Sequence, residues 1–564
     1  MGGMNLAFWP QHLSRHLDLP ATSLWYNLEV SATRYPDRAA VVYYDRILSY
    51  AELRWSAERL AGYLQRHCGV QRGERVALFM HNCPQFIIAY YAILRAEAMV
   101  VPVNCMSTAT ELTHIVRDCG ARILIASQDL VPYAQSLSDV LRHTIVAYYS
   151  DYLPDTSDLT PPDFVAAPRR PLHDGQVAWS EALDANFAPQ PHIAGPDDLC
   201  VMPYTSGTTG KPKGCIHSHR SVMHTAVGIA RWHEGKSIEC VLTLLPMFHV
   251  TGMQGSMNTP LFLGITMVLM SRWDREVAAK LIQRYRVNAW TTVPTVIVDL
   301  LSSPHLDEYD LSTLRSIGGG GAAMPRAVAA KLQEKCSLTY VEGYGLSETM
   351  APSHINPTAR PKAQCLGIPI FDTDSRVVDP QTLAELPAGE VGEIVTRGPQ
   401  VFAGYWNQPE ANRQCFIDLD GESFFRTGDL GYVDAEGYFF FVDRLKRMIN
   451  LSGFKVWPAE VEAQLYAHPA IQEVVIIASP DERRGETVKA VAILRPDARG
   501  QVTAEQLSEW ARQHMASYKV PRLWEFVETL PKSATGKILW RLLQEQERHG
   551  QPRDPSAAAT TATP

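Results

Sequence analysis

Short apolar runs alternate with amphipathic stretches through the first quarter of the sequence, and this alternation restricts the fold more than any other feature. Ala39–Tyr44 (AAVVYY), Arg75–Met80 (RVALFM), Met99–Val103 and Ala121–Ala126 (ARILIA) read as strands. Between them, Ser49 and Glu52 have capping-box spacing ahead of Leu53, Leu60 and Leu64, and Phe86–Ala98 reads as a helix. Strands alternating with helices imply parallel sheets covered by helices, so the expected class is α/β.

Residues 151–198 break the pattern with many prolines and read as a surface excursion that returns into a strand at Leu199–Pro203. The alternation resumes to residue 340, and shorter strands with turn signals fill 366–442. A new pattern begins near 446. There Pro458 opens a helix, Glu460 and Glu462 suit its positive end, Val461 and Leu465 share a face, and Pro469 stops it before a strand at Glu473–Ala478. The 564 residues hold several compact units. The expected partition is a large N-terminal domain, 1–445, of helix-covered mixed sheets with a small barrel-like part. A small mobile α+β C-terminal domain, 446–546, and a low-complexity, disordered tail, 547–564, follow it.

Composition narrows the function classes. Hydrophobic residues at 46% and charged residues at 20% allow a sizeable core and exclude global disorder. Lys+Arg 52 against Asp+Glu 60 gives −8, which excludes a dedicated nucleic-acid binder and leaves room for a local phosphate site. Ten cysteines without a CxxC pair suggest neither a zinc ribbon nor a disulfide framework and fit a reduced, intracellular chain. The opening MGGMNLAFWPQHLSRHLD has no apolar core like a signal peptide's, and the longest apolar run, Pro260–Met270, is far short of the ~20 residues that cross a bilayer. The expectation is a cytoplasmic protein, with peripheral membrane contact and a homodimer left open.

The densest chemistry lies at Tyr204–Gly214, YTSGTTGKPKG, with three glycines, four Ser/Thr hydroxyls and two lysines directly after a strand. Glycines let backbone approach a ligand, and hydroxyls and lysines offer donors to phosphate oxygens. The spacing fails the GxxxxGK[ST] pattern of a P-loop, because Gly207 lies only three residues before Gly210 and Pro212 follows Lys211.

YTSGTTGKPKG resembles the phosphate-binding signature of the adenylate-forming (AMP-binding) superfamily, which includes acyl-CoA and aryl-CoA synthetases, firefly-type luciferases and peptide-synthetase adenylation domains. Five further segments resemble that family's motifs in its order: LPMFHVTG at 245–252, EGYGLSET at 342–349, RTGDL at 426–430, DRLKRMINLSGFKVWPAEVE at 443–462 and PKSATGKIL at 531–539. The resemblance spans about residues 25–545.

It implies a two-step reaction: a carboxylate and ATP give acyl-AMP and pyrophosphate, and the CoA thiol then displaces AMP. It also implies the residues. Thr205, Ser206, Gly207, Thr208, Thr209 and Lys213 would embrace the β- and γ-phosphates. Ser347 and Glu348 follow the family's Thr-Glu pair, with the hydroxyl kept. Glu348, with Thr205, would hold Mg²⁺. Tyr344, beside Gly345, would lie against adenine, while Gly320, Gly321 and Ala322 would line the adenine and acyl pocket. Asp429 would accept the ribose hydroxyls and Arg444 would reach the ribose or phosphate. Lys537 matches the adenylation lysine that bridges carboxylate and α-phosphate, and Trp540 stands where the family often has a basic residue. Lys446 matches the hinge about which the small domain turns, presenting the Gly453 loop to CoA. His249 matches a position against the substrate carboxylate, and Met253, four residues on, is apolar and adaptable.

The segment PMFHVTG with SRWDRE downstream is most similar to bacterial medium- and long-chain fatty-acyl-CoA ligases. The implied partners are ATP, CoA and a fatty acid. An aromatic, branched or terpenoid acid, or a carrier protein as acceptor, are the alternatives the scaffold allows.

Overall fold

The computed structural model describes residues 8–205, 211–233, 237–451, 454–481, 485–532 and 538–549. They divide into two compact units, one of Met1–Ser375, Thr396–Phe425 and Glu436–Tyr438, the other of Arg376–Val395, Arg426–Ala435 and Phe439–Pro564. No helix among the described residues is long and apolar enough to cross a membrane.

Two large sheets make the first unit. In one, seven strands run in the order His217–Ser218, Leu199–Val201, Met99–Pro102, Arg75–Phe79, Ile123–Ser127, His143–Ala147, Gln176–Ala178, parallel except at the first pair. In the other, nine strands run from Ile368–Pro369 at one edge to Arg46–Ser49 at the other, with a parallel centre and antiparallel edges. Both sheets follow from the alternation, because helices return the chain to the same end of the sheet. The helix Tyr50–Arg66 starts where the sequence predicts: Glu52 N–H donates to Ser49 Oγ at 3.1 Å and Ser49 N–H to Glu52 Oε2 at 2.7 Å. The helix Pro84–Arg95 begins two residues before the expected start, with Pro84 in its first turn and every residue from Pro84 to Leu94 buried.

Two details go beyond the sequence reading. Ala39–Tyr43 does not sit beside Arg75–Phe79; it pairs parallel with Thr266–Leu269 in the other sheet. The proline-rich excursion supplies an edge strand, Gln176–Ala178, and the buried Trp179 after it. Alternation orders strands along the chain and says nothing of which sheet receives each one.

A five-stranded part spans Asp374–Val378, Gly392–Arg397, Phe416–Leu419, Glu422–Val433 and Phe439–Arg444. Its long strand Glu422–Val433 passes from the first unit into the second. In the second unit, Ile471–Asp481 and Gly485–Leu494 form an antiparallel pair, and Leu523–Phe526 adds parallel to the latter. Alternating residues of the first strand face two cores. Val474 and Ile476 pack with Val461, Leu465 and Leu507, whereas Val475 and Ile477 pack with Leu530 and Leu543.

Candidate functional site

The motif at 204–214 rests on a two-stranded stem. Thr205 pairs with Lys213 and Tyr204 with Gly214. The stem is anchored from outside: Tyr204 O–H donates to Asp118 Oδ2 at 2.6 Å, and Trp406 N–H donates to the Gly214 carbonyl at 2.8 Å. A Cβ on Gly214 would meet Met202 Sδ at 2.8 Å, so a larger residue there would have to displace the Met202 side chain. Ser206, Gly207, Thr208 and Thr209 lie outside the described residues, as do Gly453 and Lys537.

The stem leads to Glu348. Tyr405 O–H donates to Glu348 Oε1 at 2.7 Å, and Lys213 Nζ stands 5.1 Å from the Tyr405 ring centroid, so one phenol touches both the lysine and the carboxylate. Burial first, and the Glu348 charge next among the causes, push the Tyr405 phenol far above its ordinary value and keep it a donor. Asn412 fixes Tyr405 in turn, accepting from its N–H at 2.7 Å and donating to its carbonyl at 3.0 Å. The Glu348 carbonyl accepts from Phe402 N–H at 2.8 Å. One residue earlier, the Ser347 carbonyl lies 2.8 Å from His217 Nε2. Burial lowers His217 to about 4, so its ring is neutral and Nε2–H is the donor. Tyr405 and His217 lie outside the motifs read from sequence, and nothing local in FAGYW or CIHSH announces them.

Tyr344 and Gly345 follow on the end of the strand Tyr340–Tyr344. The half-buried Tyr344 ring lies 5.5 Å from that of His354, tilted by 60°. A Cβ at Gly345 would stand 2.8 Å from Ala351 Cα, and one at Gly320 would fall on the Gly343 carbonyl oxygen. The 318–322 run is therefore laid against the strand that carries Tyr344. Gly321 has φ +90°, and Ala322 is exposed. Buried Glu342 ties the two segments, accepting from Met324 N–H at 2.8 Å and Cys365 N–H at 3.3 Å.

His249 caps a short helix, Val250–Met253, that runs on as a π-helix, Gln254–Asn258. Its approach is fixed by Asn82, whose amide donates to the Leu244 and Leu245 carbonyls at 2.9 and 3.0 Å and accepts from Met247 N–H at 2.9 Å. Behind it, Met253 is fully buried, and Asn258 joins Gln254 to Tyr91 through bonds of 2.8 and 3.0 Å.

In the second unit, Glu393 builds the RTGDL turn. It accepts from Arg426 Nε at 2.9 Å and from Gly428 N–H at 3.1 Å. Gly428 has φ +69°, which bends the chain so that the fully buried Asp429 faces Arg444. Arg444 Nε lies 2.6 Å from Asp429 Oδ1, and the two residues are register partners. Lys446 follows, exposed, in the turn Leu445–Arg447. The structure thus groups Thr205, Lys213, Ser347 and Glu348 in one unit and Asp429, Arg444 and Lys446 in the other.

A buried carboxylate and a lysine meeting at one phenol have the chemistry that suits a charged phosphoryl substrate. A sequence profile of the family described as AMP-binding enzyme matches residues 28–406, and one described as AMP-binding enzyme C-terminal domain matches residues 460–537. The chain belongs to the AMP-binding enzyme family. It is similar to a long-chain-fatty-acid–CoA ligase of Bacillus subtilis, 36% identical over 96% of this chain and 98% of the relative. A feruloyl-CoA synthase of an Amycolatopsis species is 33% identical over 89% of this chain and 95% of the relative. Among solved structures, ATP-bound MatB from Rhodopseudomonas palustris superposes with a TM-score of 0.81, at 27% identity over 93% of this chain and 99% of that one.

Proposed function

We propose that this protein is an AMP-forming acyl-CoA ligase acting on a medium- or long-chain fatty acid in the cytoplasm. The carboxylate attacks the α-phosphate of ATP, an O–P bond forms, and pyrophosphate leaves. The CoA thiol then attacks the acyl carbon, and AMP leaves with the thiol proton passing to solvent. The observation that carries this reading is the Lys213–Tyr405–Glu348 arrangement at the loop stem, within a chain similar from end to end to a long-chain-fatty-acid–CoA ligase. The structure of ATP-bound MatB supports ATP as the nucleotide.

In this reading the 205–209 hydroxyls and amides and Lys213 bind the β- and γ-phosphates, and Ser347 donates to the α-phosphate. Tyr344 packs on adenine against the Gly320–Ala322 backbone, while Asp429 accepts from the ribose and Arg444 orients it. His249 lies at the carboxylate. Lys537 places one positive charge between two anions that repel as they approach, a gain realised most fully in the transition state. Glu348 and the Thr205 hydroxyl fit Mg²⁺. Among the described residues no group of three or more His, Cys, Asp and Glu side chains forms a metal cage, and Mg²⁺ bound mainly through substrate phosphates needs only one or two carboxylates. The ion, when bound, neutralises phosphate charge. The proposed working boundary is 445/446, with Lys446 as pivot and Gly453 turned toward CoA in the second step.

The test is acid-dependent pyrophosphate release and thioester formation over C2–C18, branched and aromatic acids. A C8–C18 acid giving thioester supports the reading, and Lys537→Ala should abolish pyrophosphate release while preformed acyl-AMP still reacts with CoA. Similarity to the feruloyl-CoA synthase favours a second reading, an aromatic acid, which the same screen would reveal by activity with hydroxycinnamates alone. Pyrophosphate release without thioester would defeat CoA as the acceptor.

A further inference from the structure

Lys446 lies between two charged residues that are tied down. Asp443, on the strand Phe439–Arg444, is fully buried, and its Oδ2 accepts from Ala459 N–H at 2.7 Å in the first turn of the helix Pro458–Leu465. Its Oδ1 accepts from Arg444 N–H at 2.6 Å and lies 3.8 Å from Arg447 Nη1. On the far side of Lys446, the Arg447 guanidinium forks onto Glu462 of that same helix, with Nη1 3.3 Å from Oε2 and Nη2 bonded to Oε1. Nη2 also donates to the Ile476 carbonyl at 3.2 Å, and Glu462 Oε1 accepts from Ile476 N–H at 2.7 Å.

These contacts differ in what a rotation at Lys446 would do to them. Arg447, Glu462, Ala459 and Ile476 all follow the pivot and would turn as one body. Asp443 precedes the pivot and stays with its strand, which is fixed by the Leu430–Asp443 register. Of the contacts above, only the Asp443–Ala459 hydrogen bond and the 3.8 Å ion pair of Asp443 with Arg447 span the pivot. We infer that Asp443 is a latch, a positioning residue that holds the helix Pro458–Leu465 in one of two orientations and releases it for the other half-reaction. Arg447 and Glu462 are the anchor that makes the helix move with the turn. A buried carboxylate caught by an amide and a guanidinium suits this role, because charge-assisted bonds are strong enough to bias an equilibrium and each partner finds water when released.

The inference rests on the two-step reading, so its test has an arm independent of activity. Asp443→Asn keeps the side-chain shape and removes the charge. The two half-reactions should part by about tenfold or more, pyrophosphate release and acyl-AMP to CoA transfer moving by different factors. In the ligand-free protein, tryptic cleavage within Arg444–Arg447 should rise by a similar factor while the melting temperature shifts by a few degrees at most. Equal scaling of both rates, with cleavage as in the parent, would overturn the latch and leave Asp443 a plain buried cap. A parent protein inactive in both half-reactions would defeat the ligase reading alone, and the cleavage comparison would then decide the latch. If Asp443→Asn does not fold, Asp443→Glu keeps the charge, moves it off the Ala459 amide, and is judged by the same readouts.

Discussion

Around Glu348 the holding groups come from far along the chain, whereas around Lys446 they come from the next thirty residues or so. The Glu348 carboxylate is met by Tyr405, 57 positions away, and the Ser347 carbonyl by His217, 130 positions away. Asp443 and Arg447 reach partners only 16 and 15 positions on. The chemistry of the bonds differs too. A phenol and a neutral imidazole serve the first region, and a guanidinium serves the second. Bonds gathered from remote segments tie together parts of the unit that the chain itself does not hold adjacent. Local charge pairs can open and close while the rest of the fold stands. In the proposed mechanism the region around Glu348 would stay put and the turn at Lys446 would move.

The largest effect expected from disturbing this contrast is at Glu348. Glu348→Gln keeps an oxygen for the Tyr405 hydroxyl and removes the charge, so pyrophosphate release should fall by roughly a thousandfold with little change in melting temperature. A small loss would mean the carboxylate is structural. Tyr405→Phe comes next. It leaves a buried carboxylate short of one donor, which should cost about 1–3 kcal/mol of stability and slow adenylation about 10–100-fold. Transfer from preformed acyl-AMP to CoA should be spared. If both steps slowed together, Tyr405 would be supporting the fold more than Glu348.

Acid should separate the regions next. Burial lowers His217 to about 4 and His219 and His354 to about 3, from an ordinary 6.5. Between those values the unfolded chain binds protons that the folded chain refuses, so stability falls as pH drops from 6.5 toward 4. For His217 alone the loss is about 2 kcal/mol at pH 5. No histidine occurs in 443–462. Hydrogen exchange at pH 7 and pH 5, corrected for intrinsic rates, should show protection lost at 217–224 before 443–462. Loss in the reverse order would break the comparison.

The same division explains what the sequence could reveal. The succession of strands along the chain, the capping box at Ser49 and the opening of a helix at Pro458 are local, encoded by near neighbours, and legible. The phosphate-loop motif at 204–214 stood out through its density of glycines and hydroxyls, whereas Glu348 was marked only by the family resemblance of EGYGLSET. Tyr405 and His217 were not, since what selects them is a contact 57 or 130 positions away that leaves no period or spacing behind. The pairing of Ala39–Tyr43 with Thr266–Leu269 was hidden for the same reason. Glu462 was read as suiting the helix's positive end, and the structure adds its pairing with Arg447, which composition cannot assign. Trp540, which stands where the resembled family often has a basic residue, places its ring 5.3 Å from the Arg447 guanidinium.

The smallest effect, and the sharpest on the moving side, belongs to Lys446 itself. Its side chain is exposed, in a turn of three residues. Lys446→Ala should therefore change stability by no more than about 0.5 kcal/mol, the usual range for surface sites. Lys446→Pro fixes φ near −65° and removes the amide, so a backbone that must rotate there is held. If the turn is only a connection, proline should affect both half-reactions alike through its small cost in stability. If it is the pivot, adenylation should persist while thioester formation from the same acyl-AMP falls about tenfold or more, with alanine leaving both rates near the parent's. The alanine variant separates the two cases, because it deletes the side chain and leaves the rotation free.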